Sequence, residues 1–80
     1  MKVEVRLFAT LAAHLPVGGE GNTAIIDVPQ GSTVDQVTRR LGIPDEMPRI
    51  LLVNGRDADP EQPLHEGDAL SVFPTLAGGA

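Results

Sequence analysis

The 80-residue sequence predicts an α+β fold, in which a mixed sheet of four to five strands carries one main helix packed across it. Three observations support this. Residues 2–7 alternate polar and apolar, residues 32–42 read as a capped amphipathic helix, and an Asn54-Gly55 pair marks a tight hairpin turn between two short strands.

Val3, Val5 and Leu7 share one parity while Lys2, Glu4 and Arg6 take the other, the period-two signature of a strand with one buried face. Leu7, Leu11 and Leu15 then recur every four residues until Pro16 stops the pattern, so residues 10–16 are expected to form a short helix. The segment 17–22 is rich in glycine but has no lysine after it, as a phosphate-binding loop requires, and is expected to be a plain loop.

Ala24, Ile26 and Val28 alternate with Thr23, Ile25 and Asp27 to give a second strand, which should pair with the first. Ser32, with Asp35 three residues on, is the expected helix cap. Val34, Val37 and Leu41 form the apolar face, and Gly42 supplies the stop. Residues 50–53 form a third apolar run before Asn54-Gly55, with a short return strand expected around residues 56–58. Leu64 to Asp68 reads as a turn, and Ala69 to Phe73 alternates again with Leu70 and Val72 inward before Pro74. The expected core is Val5, Ile26, Val37, Leu52, Leu70 and Val72.

A chain of 80 residues forms one domain with a modest core and little room for an enclosed active site. We place that domain at residues 1–74 and a flexible tail at residues 75–80. Eleven Asp and Glu against six Lys and Arg give a net charge of -5, opposite in sign to what a nucleic-acid backbone attracts. The sequence has no cysteine, which excludes disulfides and thiolate chemistry of its own. No stretch reads as a signal peptide or membrane span, so the cytoplasm is the expected compartment. His14 and His65 sit in unrelated segments without metal-ligand spacing, so no metal site is expected. Nothing orients Asp57, Asp59 and Glu61 for acid-base work, and Arg39 and Arg40 read as a solvated helix face.

Several segments together resemble a known family. Val5-Arg6-Leu7-Phe8-Ala9-Thr10-Leu11, Val28-Pro29-Gln30-Gly31-Ser32-Thr33-Val34, Val53-Asn54-Gly55, Leu64-His65-Glu66-Gly67-Asp68, Phe73-Pro74 and Gly78-Gly79 are similar, in this order, to the MoaD/ThiS sulfur carriers. The resemblance implies a ubiquitin-like β-grasp fold. It also implies that the chain is a carrier and not an enzyme: its terminal glycine carboxylate is adenylated by a partner that uses ATP, then converted to a sulfur-donating thiocarboxylate. No cofactor is bound by the carrier itself. Gly78 and Gly79 are the expected reactive tail, since two residues without Cβ atoms can pass through a narrow channel. Taken alone, the pair reads as an ordinary chain end, and the upstream segments are what favour the reactive tail.

Phe8 shares the outer parity of Glu4 and Arg6, and Phe73 that of Ala69 and Ser71. The first and last strands of a β-grasp sheet are neighbours, so both aromatics should meet in one outward patch at the tail's root, joined by Pro74 and Leu76 as a partner-binding surface. The implied partners are an adenylating enzyme and a larger synthase subunit or other sulfur acceptor. Phe8 and Phe73-Pro74 point to a molybdopterin pathway over the thiamine carrier, with a ubiquitin-like protein modifier as the alternative. Ala80 follows the glycine pair, so a tail-trimming peptidase is expected to expose Gly79.

Overall fold

A computed structural model describes residues 1–16, 18–44 and 46–75. The expected tail residues Leu76, Gly78, Gly79 and Ala80 lie outside the described residues.

The strands are β1 (Lys2–Leu7), β2 (Thr23–Asp27), β3 (Arg49–Val53), β4 (Arg56–Asp57) and β5 (Ala69–Pro74), and the helix α1 spans Val34–Arg40. They form one five-stranded sheet in the order β2-β1-β5-β3-β4. β1 and β5 pair in parallel at its centre, and the other pairs are antiparallel. The first strand thus pairs with both the second and the last.

One face of the sheet is buried. Val3, Val5 and Leu7 of β1, Leu70 and Val72 of β5, and Leu51 and Val53 of β3 pack with Val34 and Val37 of α1, together with Leu11, Ile43 and Leu64. Ile26 is half-buried at the margin of this core, on an outer strand of the sheet.

The expected inward position of Leu52 is corrected: Leu51 and Val53 are buried and Leu52 stands on the opposite face. Four consecutive apolar residues give no alternation to read, and the face is decided by register. Val53 pairs with Leu70 and Leu51 with Val72, so the buried residues of β3 oppose the buried residues of β5. Asn54 (φ 53°) and Gly55 (φ 83°) both adopt positive φ, the two-residue turn that joins β3 to β4 in this register. β4 is one residue shorter than expected, although the Ala58 N–H still donates to Leu51 O at 3.0 Å.

The helix cap moves by one residue. Thr33, not Ser32, closes the capping box: Gln36 N–H donates to Thr33 Oγ1 (3.2 Å) and Thr33 N–H to Gln36 Oε1 (2.9 Å). Ser32 instead donates its hydroxyl to Pro29 O at 2.7 Å, while Asp35 is held by Arg39 (3.0 Å) and Arg49 (3.6 Å). The C-terminus ends as expected on Gly42 (φ 84°), with Ile43 N–H donating to Thr38 O and Gly42 N–H to Arg39 O. The short helix expected at residues 10–16 is a 3-10 helix over Ala9–His14, with Leu11 buried beneath it.

Candidate functional site: an aromatic row at the root of the tail

The outer face of the sheet carries the site. β1 leads into Phe8, whose N–H donates to Val72 O at 3.2 Å and so extends the parallel ladder by one residue. Ala9 then takes a positive φ of 52°, which turns the chain out of the strand and leaves the Phe8 ring at the sheet's end. Phe73 follows the inward Val72 on β5 and faces outward. The two rings stack, with centroids 4.2 Å apart and planes 2° from parallel. Both rings are half-buried, partly by one another.

The row continues onto β3. Ile50 pairs with Phe73 across the antiparallel ladder and is 46% exposed, and Leu52 pairs with Ser71 one step further in. Phe8, Phe73, Ile50 and Leu52 therefore form an apolar surface across three strands. Arg6 and Glu4 lie on the same outer face of β1, joined as an ion pair. Exposed apolar surface rimmed by charge is what a docking site presents. Pro74 is half-buried, and Thr75 N–H reaches Pro48 O at 3.4 Å, so the described chain ends beside the aromatic row.

Sequence reasoning placed Phe8, Phe73 and Pro74 together at this end. It missed Ile50 and assigned Leu52 to the core. The signal that finds both is the hairpin register: counting back from Asn54-Gly55 against β5 puts Ile50 opposite Phe73. Leu76, Gly78 and Gly79, the remaining predicted members, fall outside the described residues.

The other candidates lie elsewhere. His65 is exposed, with Nδ1 3.7 Å from Asp68 Oδ2. Asp57, on β4, and Asp59 and Glu61, on the stretch after it, are exposed. Among the described residues, no group of three or more His, Asp or Glu side chains could hold a metal ion, and no helix is long and apolar enough to cross a membrane.

A ubiquitin-like β-grasp sheet with an apolar outer face at the root of a Gly-Gly tail defines a class of small ubiquitin-like proteins. Within it, the chain belongs to the family described as Mut7-C ubiquitin, which matches residues 1–78. Among solved structures it is similar to the HVO 2177 protein of Haloferax volcanii, at 32% identity and a TM-score of 0.77, covering 99% of this chain and 87% of that one. Small archaeal modifier protein 1 of H. volcanii matches at 26% identity and a TM-score of 0.71, over 94% of this chain and 98% of that one. A molybdopterin converting factor subunit 1 of Pyrococcus furiosus matches at 25% identity and a TM-score of 0.68, over 94% and 98%. A search of curated proteins by sequence finds no match.

Proposed function

We propose that this chain is a sulfur carrier that works in the cytoplasm through its C-terminal glycine. Once a peptidase has hydrolysed the Gly79–Ala80 bond and released alanine, the Gly79 carboxylate attacks the α-phosphorus of ATP on an adenylating partner, giving an acyl-adenylate and pyrophosphate. A sulfide donor then displaces AMP from the carbonyl carbon, leaving a thiocarboxylate whose sulfur passes to an acceptor. The chain is the covalent substrate of these steps, and ATP binds to the partner.

The observation that carries this reading is the position of the Phe8–Phe73–Ile50 row at the end of β5 from which the tail departs. A partner that docks there holds the tail's root, and the five residues that follow Pro74, up to Gly79, can reach about 17–18 Å beyond it. The stacked rings supply the buried aromatic anchor such an interface uses. Likeness to a molybdopterin converting factor subunit favours a pterin sulfur acceptor on a larger synthase subunit.

A second reading, the ubiquitin-like modifier, is favoured by likeness to a small archaeal modifier protein over 98% of that chain. It shares the adenylation step and diverges when an amine replaces sulfide as the nucleophile. Intact-mass analysis after incubation with the adenylating enzyme, ATP and sulfide separates the two. Exchange of one oxygen for sulfur supports carriage, conjugates to other proteins support modification, and an unchanged mass with an active enzyme counts against both.

A further inference from the structure

Arg49 is a buried cation to which the proposed chemistry gives no role. Its side chain is 8% exposed, and its guanidinium reaches a turn and the helix together: Nη1 donates to Pro44 O at 3.3 Å and to Met47 O at 3.1 Å, and Nη2 lies 3.6 Å from Asp35 Oδ1 on α1. Met47 N–H also donates to Pro44 O at 3.1 Å, so the guanidinium closes over this turn and ties it to the helix. A lysine ammonium, a single point of charge, cannot span two carbonyls and a carboxylate as the planar fork does.

The residue after that turn is Pro48, which carries the last rung of the ladder between β3 and β5. Hydrogen-bonded positions alternate along an antiparallel pair. Asn54 N–H donates to Ala69 O and Thr75 N–H to Pro48 O, so the bonded pairs between them are Leu52–Ser71 and Ile50–Phe73. Pro48 has no N–H to return, and its rung with Thr75 is therefore a single bond, 3.4 Å long. A rung this weak stands wherever Pro48 is held. Pro48 itself lies between Met47, whose carbonyl Arg49 grips, and Arg49, whose backbone is opposite Pro74.

We propose that Arg49 is a positioning residue for the tail: by fixing the turn at Pro44 and Met47 against Asp35 it sets the place of Pro48, and through the Pro48–Thr75 rung the point from which the chain runs on to Gly79. The inference rests on the adenylation step of the sulfur-carrier reading and adds a residue on the other face of the sheet from the aromatic row. Arg49 shares the inward parity of Leu51 and Val53, whereas Ile50 beside it belongs to the row. Docking and delivery are then separable. Loss of the row weakens binding and raises KM, while loss of Arg49 leaves the row intact and lowers kcat, because the reacting carboxylate is presented less often in a productive position.

The test follows the full chain by amide hydrogen exchange and the chain ending at Gly79 by pyrophosphate exchange with ATP and an adenylating enzyme. In Arg49→Met the Thr75 amide is expected to exchange about 10-fold faster while the Phe73 amide, one rung back, keeps its protection. In the same variant kcat is expected to fall about 10-fold with KM unchanged. Arg49→Lys, which keeps a cation for Asp35 without the fork, is expected to move both readouts in the same direction, and it carries the test if Arg49→Met does not fold. Val3→Ala, a core truncation at the far end of β1 from Phe8, should lower the melting temperature and leave both readouts as they are. Thr75 exchange at the wild-type rate in a folded Arg49 variant, or faster exchange with kcat retained, overturns the proposal and leaves the carrier reading standing. Equal losses in Val3→Ala overturn it too, since Arg49 would then act through stability alone. A wild-type chain ending at Gly79 that binds the enzyme without any pyrophosphate exchange removes the carrier reading and the proposal together.

Discussion

The ring of Phe8 lies face to face with the ring of Phe73, 4.2 Å away, although 64 positions in the chain separate them. The parallel pairing of β1 with β5 makes this possible. Phe8→Asp and Phe73→Asp should each weaken binding to the adenylating enzyme by about 2 kcal/mol or more, roughly 30-fold in Kd, measured by titration calorimetry. Phe8→Ala should cost about 1 kcal/mol of stability, the scale of an aromatic pair, against roughly 3–5 kcal/mol for a fully buried Phe. Collapse of the melting temperature in Phe8→Ala would show that the rings are core.

The register of β3 makes neighbouring leucines unequal. Leu51→Ala should destabilise by about 2–5 kcal/mol in chemical denaturation, as truncation of a buried leucine does. Leu52→Ala, on the outer face, should cost clearly less while reducing partner affinity. Equal losses of stability would overturn the register.

Removal of the helix cap distinguishes Thr33 from Ser32. Thr33→Ala breaks the reciprocal bonds with Gln36 and should cost about 1 kcal/mol, while Thr33→Ser keeps them and should be nearly neutral. A wild-type denaturation midpoint in Thr33→Ala would show that the box contributes nothing.

Asp68 should govern part of the acid sensitivity. Partial burial pushes its carboxyl up, but hydrogen bonds from Asn54 Nδ2 (3.0 Å) and the His65 N–H (2.8 Å), with the His65 charge beside them, bring it below the ordinary carboxylate range. Its folded pKa is lower than its unfolded value of about 3.9. The stability it contributes is therefore present above that unfolded value and is lost as pH falls through the folded one. Asn54→Gly keeps the turn and removes one donor, so the Asp68 carboxyl should titrate at higher pH in a carbon-detected NMR titration. An unmoved titration would mean that Asn54 does not hold the carboxylate.

Ala80 adds a Cβ and up to roughly 3.3–3.6 Å of chain beyond Gly79. Displacement of a reacting carboxylate on this scale can cost on the order of 10²-fold in rate. The chain ending at Gly79 should therefore be adenylated faster than the full chain by pyrophosphate exchange. Equal rates without loss of alanine would sink the precursor reading.

Where polar and apolar residues alternate, the fold was legible before the structure. Lys2 to Leu7 and Ala69 to Phe73 gave the two central strands with their faces, and hence the meeting of Phe8 with Phe73. Where alternation fails it was not. The run Ile50-Leu51-Leu52-Val53 is apolar on both faces, because its outer residues join the aromatic row, so a pattern that assumes a polar outer face misassigns Leu52. The cap was misread for a related reason: Ser32 and Thr33 both suit the position, and Asp35 competes with Gln36 as the third helical residue. The bonds of Asp35 to Arg39 and Arg49 decide between them, and Arg49 is a tertiary partner from β3.

The central place of β5 also orders events in synthesis. Leu70 and Val72 are fully buried between β1 and β3, so the sheet remains in two unjoined halves until the last strand has been made. Pairing β1 with β5 closes a loop of more than sixty residues, a contact that forms slowly and late. Phe73 takes its place beside Phe8 in the same event. A nascent or damaged chain that has not joined its halves has no aromatic row to offer, so an activating partner that requires the row draws only on folded molecules.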